Sequence, residues 1–144
     1  MQLLRSMQLP SCNTDCGRHT LTVSSQYIKV CCWITGRIII LNLDGQVKSI
    51  HGPGFEVQIT FREAANRDGS MKRRLRKPYL CQEDDESNVL IVDCDHDRVL
   101  LFTADCLWYD VTPDGELRIP YGALLLCGRL YVSSWAYKSI TMFE

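Results

Sequence analysis

Three groups of side chains in this sequence have types and spacings that can do chemistry. Cys12-Asn-Thr-Asp-Cys16-Gly-Arg-His19 brings two thiols and an imidazole together, the donor types that zinc takes. A closed structural site needs four ligands, and this segment supplies three. Cys31 or Cys32 can complete it only if the chain folds back, so the segment reads as irregular and metal-free. Lys72, Arg73, Arg74, Arg76 and Lys77 place five cations in six residues, a density that can hold phosphates or act as a nuclear-import signal. The acidic run Glu83-Asp84-Asp85-Glu86 follows closely and is expected to neutralise part of it, leaving a solvated loop. Asp93, Asp95, His96 and Asp97 form the third group, with the composition of a metal or acid–base cluster. The elements around them point to another use. They lie in a corner between two strands, where Asp93 and Arg98 are expected to form a structural pair. His19 and His51 carry no assignment of their own. No catalytic centre, metal or other cofactor is expected from these groups.

The elements that position these residues emerge from self-similarity within the chain. Three segments repeat a short apolar strand, a polar corner and a second apolar strand. They are Tyr27 to Trp33 with Arg37 to Leu43, Asn88 to Asp93 with Arg98 to Phe102, and Arg129 to Ser133 with Ser139 to Phe143. Aligned on Val30, Val92 and Val132, the second corner is one residue shorter than the other two. All three are rich in β-branched and aromatic residues and lack helical periodicity. Short corners require antiparallel pairing. The unbroken run Ile38-Ile39-Ile40-Leu41 predicts a strand covered on both faces, as in stacked sheets. Asp44-Gly45 and Pro113-Asp114-Gly115 supply turns, and further strands are expected over Gln46 to Ile50, Leu107 to Val111 and Gly122 to Cys127. The fold class is therefore all-β, with antiparallel four-stranded blades of an incomplete propeller of about three blades. Core packing is expected for at least two of Trp33, Trp108 and Trp135.

Val92 and Val132 lie forty residues apart, the length of one blade, whereas Val30 and Val92 lie sixty-two apart. The excess falls between Gly54 and Lys77, with an added strand at Val57 to Phe61 and a basic loop at about 62–77. Residues 1–19 form an irregular segment or the remnant of a preceding blade, and 20–144 form the propeller part. The net charge of -1 offers no global field for nucleic acid or membrane. No apolar run reaches the roughly 20 residues that a bilayer span takes, and Arg5 and Gln8 interrupt the N-terminus where a signal peptide would be apolar. Eight cysteines, several of them inside strand-like runs, are read as reduced thiols of a cytoplasmic protein.

Val92-Asp-Cys-Asp-His-Asp-Arg-Val-Leu-Leu-Phe102 resembles the NHL-repeat signature: a strand, Asp, a polar corner, Arg and a strand ending in Phe. Leu130 to Phe143 and Tyr27 to Leu43, with Arg37 at the matching place, are similar to weaker copies. The first copy has Cys32 or Trp33 where Asp is expected, and the third has Ser139 where Arg is expected. The resemblance is to divergent NHL propellers, as at the C-terminus of tripartite-motif proteins. It implies a structural role for Asp93, Arg98 and Arg37. It further implies a non-catalytic scaffold whose loops bind a protein partner, as in substrate recognition by a ubiquitin ligase. RNA binding through 72–77 is the alternative, and a fragment of a lactonase-like hydrolase ranks behind it. Such propellers have about six blades, so the remaining blades of a larger ring, or self-association, are expected to complete this one.

Overall fold

The computed structural model describes residues 18–52, 75–113 and 115–144. Among them the chain forms three antiparallel sheets. Blade 1 comprises β1 (His19–Val23), β2 (Tyr27–Cys32), β3 (Arg37–Asn42) and β4 (Val47–His51). Blade 2 comprises β5 (Pro78–Glu83), β6 (Val89–Asp93), β7 (Arg98–Phe102) and β8 (Trp108–Asp110), with one 3-10 turn at Cys94–His96. Blade 3 comprises β9 (Pro120–Leu126), β10 (Arg129–Ser134) and β11 (Ser139–Phe143). Strands are ordered in each sheet as they are in the chain, so β1, β5 and β9 are the corresponding first strands. They also approach one another, which makes them the inner strands of a propeller. The three expected strand pairs form as antiparallel ladders. Val57 to Phe61 lies outside the described residues.

The register corrects the alignment of the copies. Cys32 faces Arg37, Asp93 faces Arg98 and Ser134 faces Ser139 across their corners. All three corners therefore contain four residues, and Val92 corresponds to Cys31 and Ser133 rather than to Val30 and Val132. A one-residue slip exchanges the two faces of a strand, so this correction decides which side chains meet.

With the faces assigned, the packing follows one rule. Cys31, Ile38 and Ile40, on the forward side of blade 1, pack with Leu80, Val89, Ile91, Leu100, Phe102 and Trp108 on the rear of blade 2. Leu90, Val92 and Val99, on the forward side of blade 2, pack with Leu117, Leu130 and Val132 from the blade 3 side. Ile39 and Leu41 point the opposite way from Ile38 and Ile40 and form a separate cluster with Val30. This explains the unbroken apolar run: successive residues serve different sides of one sheet.

Polar contacts fix the blades against sliding. Thr20 Oγ1 accepts the Leu80 backbone N–H at 2.9 Å. Gln82 accepts the Leu125 N–H at 2.7 Å and donates to the Leu125 carbonyl at 3.2 Å. Lys29 meets Glu83 at 2.6 Å, with side chains 3% and 6% exposed, and also donates to the Ser87 carbonyl. Two members of the acidic run are engaged among the described residues: Glu83 neutralises a buried lysine, and Asp84 accepts the Glu86 and Asn88 backbone N–H groups of its own turn.

Asp93 is the polar centre of blade 2 and is fully buried. Its Oδ2 accepts Arg98 Nε at 3.0 Å and lies 2.9 Å from Arg98 Nη2. Its Oδ1 accepts the Arg76 backbone N–H at 2.8 Å. In blade 3 the matching Ser134 donates to the Arg118 carbonyl, so this position again ties the corner to the approach to the inner strand. Removing one partner of such a buried pair leaves the other charge uncompensated. Arg98→Ala is therefore expected to cost about 3 kcal/mol of stability, read as a lower midpoint in urea unfolding. Arg98→Lys should recover part of it, because it keeps the charge and loses the planar fork. An unchanged midpoint for Arg98→Ala would contradict the staple.

Candidate functional site at the mouth of the inner strands

An antiparallel blade places the start of its inner strand and the corner between its second and third strands at the same end. Backbone bonds hold them together: Trp33 N–H to the Arg18 carbonyl at 3.0 Å, Asp95 N–H to the Arg76 carbonyl at 3.3 Å and Trp135 N–H to the Ile119 carbonyl at 3.0 Å. One end of the arc therefore collects Arg18, Tyr79 and Tyr121 from the inner-strand starts and Trp33, Asp95 and Trp135 from the corners.

These side chains contact one another across blades. Tyr79 and Tyr121 lie with ring centroids 4.8 Å apart, and the Tyr79 hydroxyl donates to that of Tyr121 at 3.1 Å. Arg18 Nη1 reaches the Tyr121 hydroxyl at 3.4 Å and its guanidinium lies 5.6 Å from the Trp33 ring. Lys77 Nζ lies 5.5 Å from the same ring and pairs with Asp95 at 2.9 Å. Tyr121 continues to Trp135 at 6.1 Å. Trp33, Ile34, Arg76, Lys77 and Asp95 line an open depression of about 330 Å³. The Tyr79 and Tyr121 hydroxyls raise the Arg18 pKa and hold it charged. Burial, followed by the Tyr121 hydroxyl, raises that of Tyr79 against the opposing pull of Arg18. A fixed cation with two phenolic hydroxyls, beside an accessible indole, can hold a carbonyl or anionic oxygen attached to a flat apolar group.

The residues singled out in the sequence are distributed differently. Cys12, Cys16, Lys72, Arg73 and Arg74 lie outside the described residues. Arg76 and Lys77 stand at the mouth, and Lys77 is held by Asp95 and Trp33. Arg37 faces Cys32 at the corner of blade 1. The carboxylates of the third group are each engaged: Asp93 by Arg98 and by His96 Nδ1 at 2.8 Å, Asp95 by Lys77, and Asp97 by the Ile119 N–H at 2.6 Å. Among the described residues, no group of three or more metal-ligating side chains converges. The tryptophans correct the expectation of core packing, because only Trp108 is buried. Trp33 is half-buried and Trp135 is 71% exposed, and both stand on the corners of their blades. Arg18, Tyr79 and Tyr121 were missed, since they lie 42 or more positions apart and form no linear motif. Their shared place at inner-strand starts was the available signal.

A second cluster lies between blades 1 and 2. Buried His51 places Nε2 2.9 Å from Ser49 Oγ and 3.5 Å from Cys106 Sγ. Burial raises the Cys106 thiol pKa and lowers that of His51. Both groups are thereby held neutral, which suits packing better than nucleophilic attack.

The sheets define a β-propeller fold. No protein-family model and no curated protein matches the sequence. Solved structures do match. A virginiamycin B lyase from Staphylococcus aureus aligns over 92% of this chain and 42% of its own, with TM-score 0.59 and 15% identity. A streptogramin B lyase aligns over 90% and 41%, with TM-score 0.56 and 12% identity. A catalytically inactive form of the Staphylococcus aureus enzyme with quinupristin aligns over 88% and 40%, with TM-score 0.57 and 14% identity. The chain thus spans less than half the length of these solved chains, and at such identities the likeness establishes the fold.

These neighbours correct the functional expectation. The non-catalytic scaffold, with ligase substrate recognition as its use, rested on the propeller form, and RNA binding through 72–77 was its alternative. The solved structures aligned above are lyases, so the fold by itself does not imply a scaffold. Among the described residues, no helix is long and apolar enough to cross a membrane.

The Tyr79 shift has a measurable consequence. Because its folded pKa is raised above 10.0, the stability tied to the neutral phenol is fully present below that pH. It is lost as pH rises through the folded value. In an ultraviolet titration, Tyr79→Phe is expected to remove absorbance from the high-pH end of the tyrosine curve. Loss from the low-pH end would contradict the arrangement.

Proposed function

We propose that the mouth of the inner strands binds a small molecule bearing a carbonyl or carboxylate oxygen next to a flat ring, in the service of lyase-type chemistry. The observation that carries this reading is the convergence of Arg18, Tyr79 and Tyr121 from two different blades and the approach to the first. Arg18 Nη1 and the Tyr79 hydroxyl both donate to the Tyr121 oxygen, which leaves the Tyr121 proton and the other guanidinium N–H groups to meet an oxygen on which negative charge develops. Trp33 and Trp135 offer flat apolar surface beside it. The lyase neighbours, one of them with quinupristin, support a small-molecule ligand over a macromolecular one. Asp93, Asp95 and Asp97 are engaged in structural pairs, so the role assigned to the mouth is binding and charge stabilisation by Arg18, Tyr79 and Tyr121. The Asp93–Arg98 staple supports an NHL-type ancestry for blade 2. The burial of Cys31, Cys32 and Cys94 as free thiols supports a reducing, cytoplasmic setting.

Quinupristin is the probe for this reading. Added to the 144-residue chain, it is expected to quench the emission of Trp33 and Trp135 saturably. Arg18→Ala should weaken that binding about tenfold, the value of one charge-assisted hydrogen bond. Tyr121→Phe should weaken it less, since a neutral hydroxyl is lost. Absence of saturable quenching, or an unchanged affinity in Arg18→Ala, would overturn the assignment.

A further inference from the structure

We propose that a cavity between blades 1 and 2, at the end remote from the mouth, binds a small oxyanion, either inorganic or a short carboxylate. The inference stands apart from the ligand reading at the mouth and rests on a buried ammonium with one donor left over. The β5–β6 and β7–β8 turns close blade 2 at the end opposite its corner, and Tyr27 begins β2 at the same end of blade 1. Between them lies a cavity of about 110 Å³, whose lining includes Tyr27, Lys29, Lys48, Ser49, Thr103 and Cys106. An ammonium carries three N–H groups. That of Lys29 donates one to Glu83 Oε1 and one to the Ser87 carbonyl, both at 2.6 Å. Among the described residues nothing accepts the third, although the side chain is only 3% exposed. A buried donor without an acceptor is costly, and a ligand in the cavity would relieve that cost.

The other groups that line the cavity point to a negative occupant. Lys48, from β4, brings a second ammonium, which donates to the Tyr27 hydroxyl at 2.6 Å and lies 3.9 Å from the Tyr27 ring centroid. Glu83 holds Lys29 without lining the cavity, so the charged side chains of the lining are both cationic. Asp105, on the β7–β8 turn, is exposed and does not line it. Ser49 adds a neutral donor. His51 Nδ1 is buried without a partner among the described residues, so the ring proton is better placed on Nε2, 2.9 Å from Ser49 Oγ. Burial lowers the His51 pKa and keeps the ring neutral. Ser49 Oγ then accepts from His51, and its own proton is left for the cavity. Two ammonium groups and a hydroxyl thus offer charge-assisted hydrogen bonds to one oxyanion. The cavity is several times the roughly 10–15 Å³ that one water needs. It is well below the roughly 300 Å³ at which pockets for larger ligands begin, so the anion it fits is a free, small one.

Isothermal titration of the 144-residue chain with sodium phosphate and with sodium acetate, at constant ionic strength, tests the site. At least one of the two is expected to bind saturably. Saturation by phosphate marks an inorganic oxyanion, and saturation by acetate alone marks a carboxylate; both support the site. Lys48→Met should weaken the binding about tenfold, the value of one charge-assisted hydrogen bond, and Ser49→Ala should weaken it less. Lys29→Met combined with Glu83→Gln removes both members of the buried pair, and should abolish binding while the circular dichroism stays that of the wild type. Arg18→Ala should leave the affinity unchanged, because that residue stands at the mouth. The bound anion is also expected to slow maleimide labelling of Cys106, read by peptide mass spectrometry. Saturation by neither anion would overturn the proposal and leave the cavity to water. Binding that Arg18→Ala removes and Lys48→Met does not would also overturn it, because the anion would then sit at the mouth.

Discussion

Every blade of this chain is a single sheet with apolar residues on both faces, and a sheet of that kind is stabilised by cover on both. Fully burying a Val, Leu or Ile side chain contributes about 1.5–3 kcal/mol relative to leaving it exposed, and blade 2 buries such residues on both sides. Its strand β6 is buried at all five positions, Val89 to Asp93. Forward-on-rear packing is therefore the contact on which the rest depends. It explains why inner strands lie side by side, why corners collect at one end and why the sides of the arc differ from its middle.

Burying both faces leaves little room for polar groups, and those that enter are paired across elements. Asp93 is enclosed by Arg98, His96 and the Arg76 backbone N–H, so the corner of blade 2 is anchored to the segment that begins β5. Lys29 and Glu83 perform the corresponding task between blades 1 and 2. An unpaired partner in either place would be a charge without solvent, which makes these pairs determinants of register as well as of stability.

Much of this architecture was legible in the residues. Strands rich in Val, Ile and Leu, separated by short polar corners, announced antiparallel blades, and Asp93 and Arg98 were readable as a structural pair. Other parts were hidden for physical reasons. β1 reads His-Thr-Leu-Thr-Val and β5 begins with Pro78, so neither has the apolar density of an interior strand. Inner strands are narrow and rely on contacts such as Thr20 with Leu80 N–H and Gln82 with Leu125, which leave no pattern in a linear sequence. The alignment on Val30, Val92 and Val132 was misleading because valine suits either face of a two-sided sheet. Only the ladder shows that Val92 points forward and Val132 to the rear.

The candidate site was obscured by the same constraint. Where both faces of a strand are committed to packing, chemistry is restricted to strand starts and corners. Those positions are separated by an entire blade in the chain while adjoining in space. Arg18, Tyr79 and Tyr121 each begin or precede an inner strand, and the neighbours that mark Arg18 in sequence, Cys12, Cys16 and His19, group it with thiols rather than with the two tyrosines. The local clusters that did attract notice had the opposite property. Asp93, Asp95, His96 and Asp97 are close in sequence because a tight corner needs polar residues, and the left-handed Asp97 at φ 54° shows that requirement directly. In a fold built from repeated sheets, proximity along the chain reports on turns. Convergence of equivalent positions from successive blades is what reports on a site.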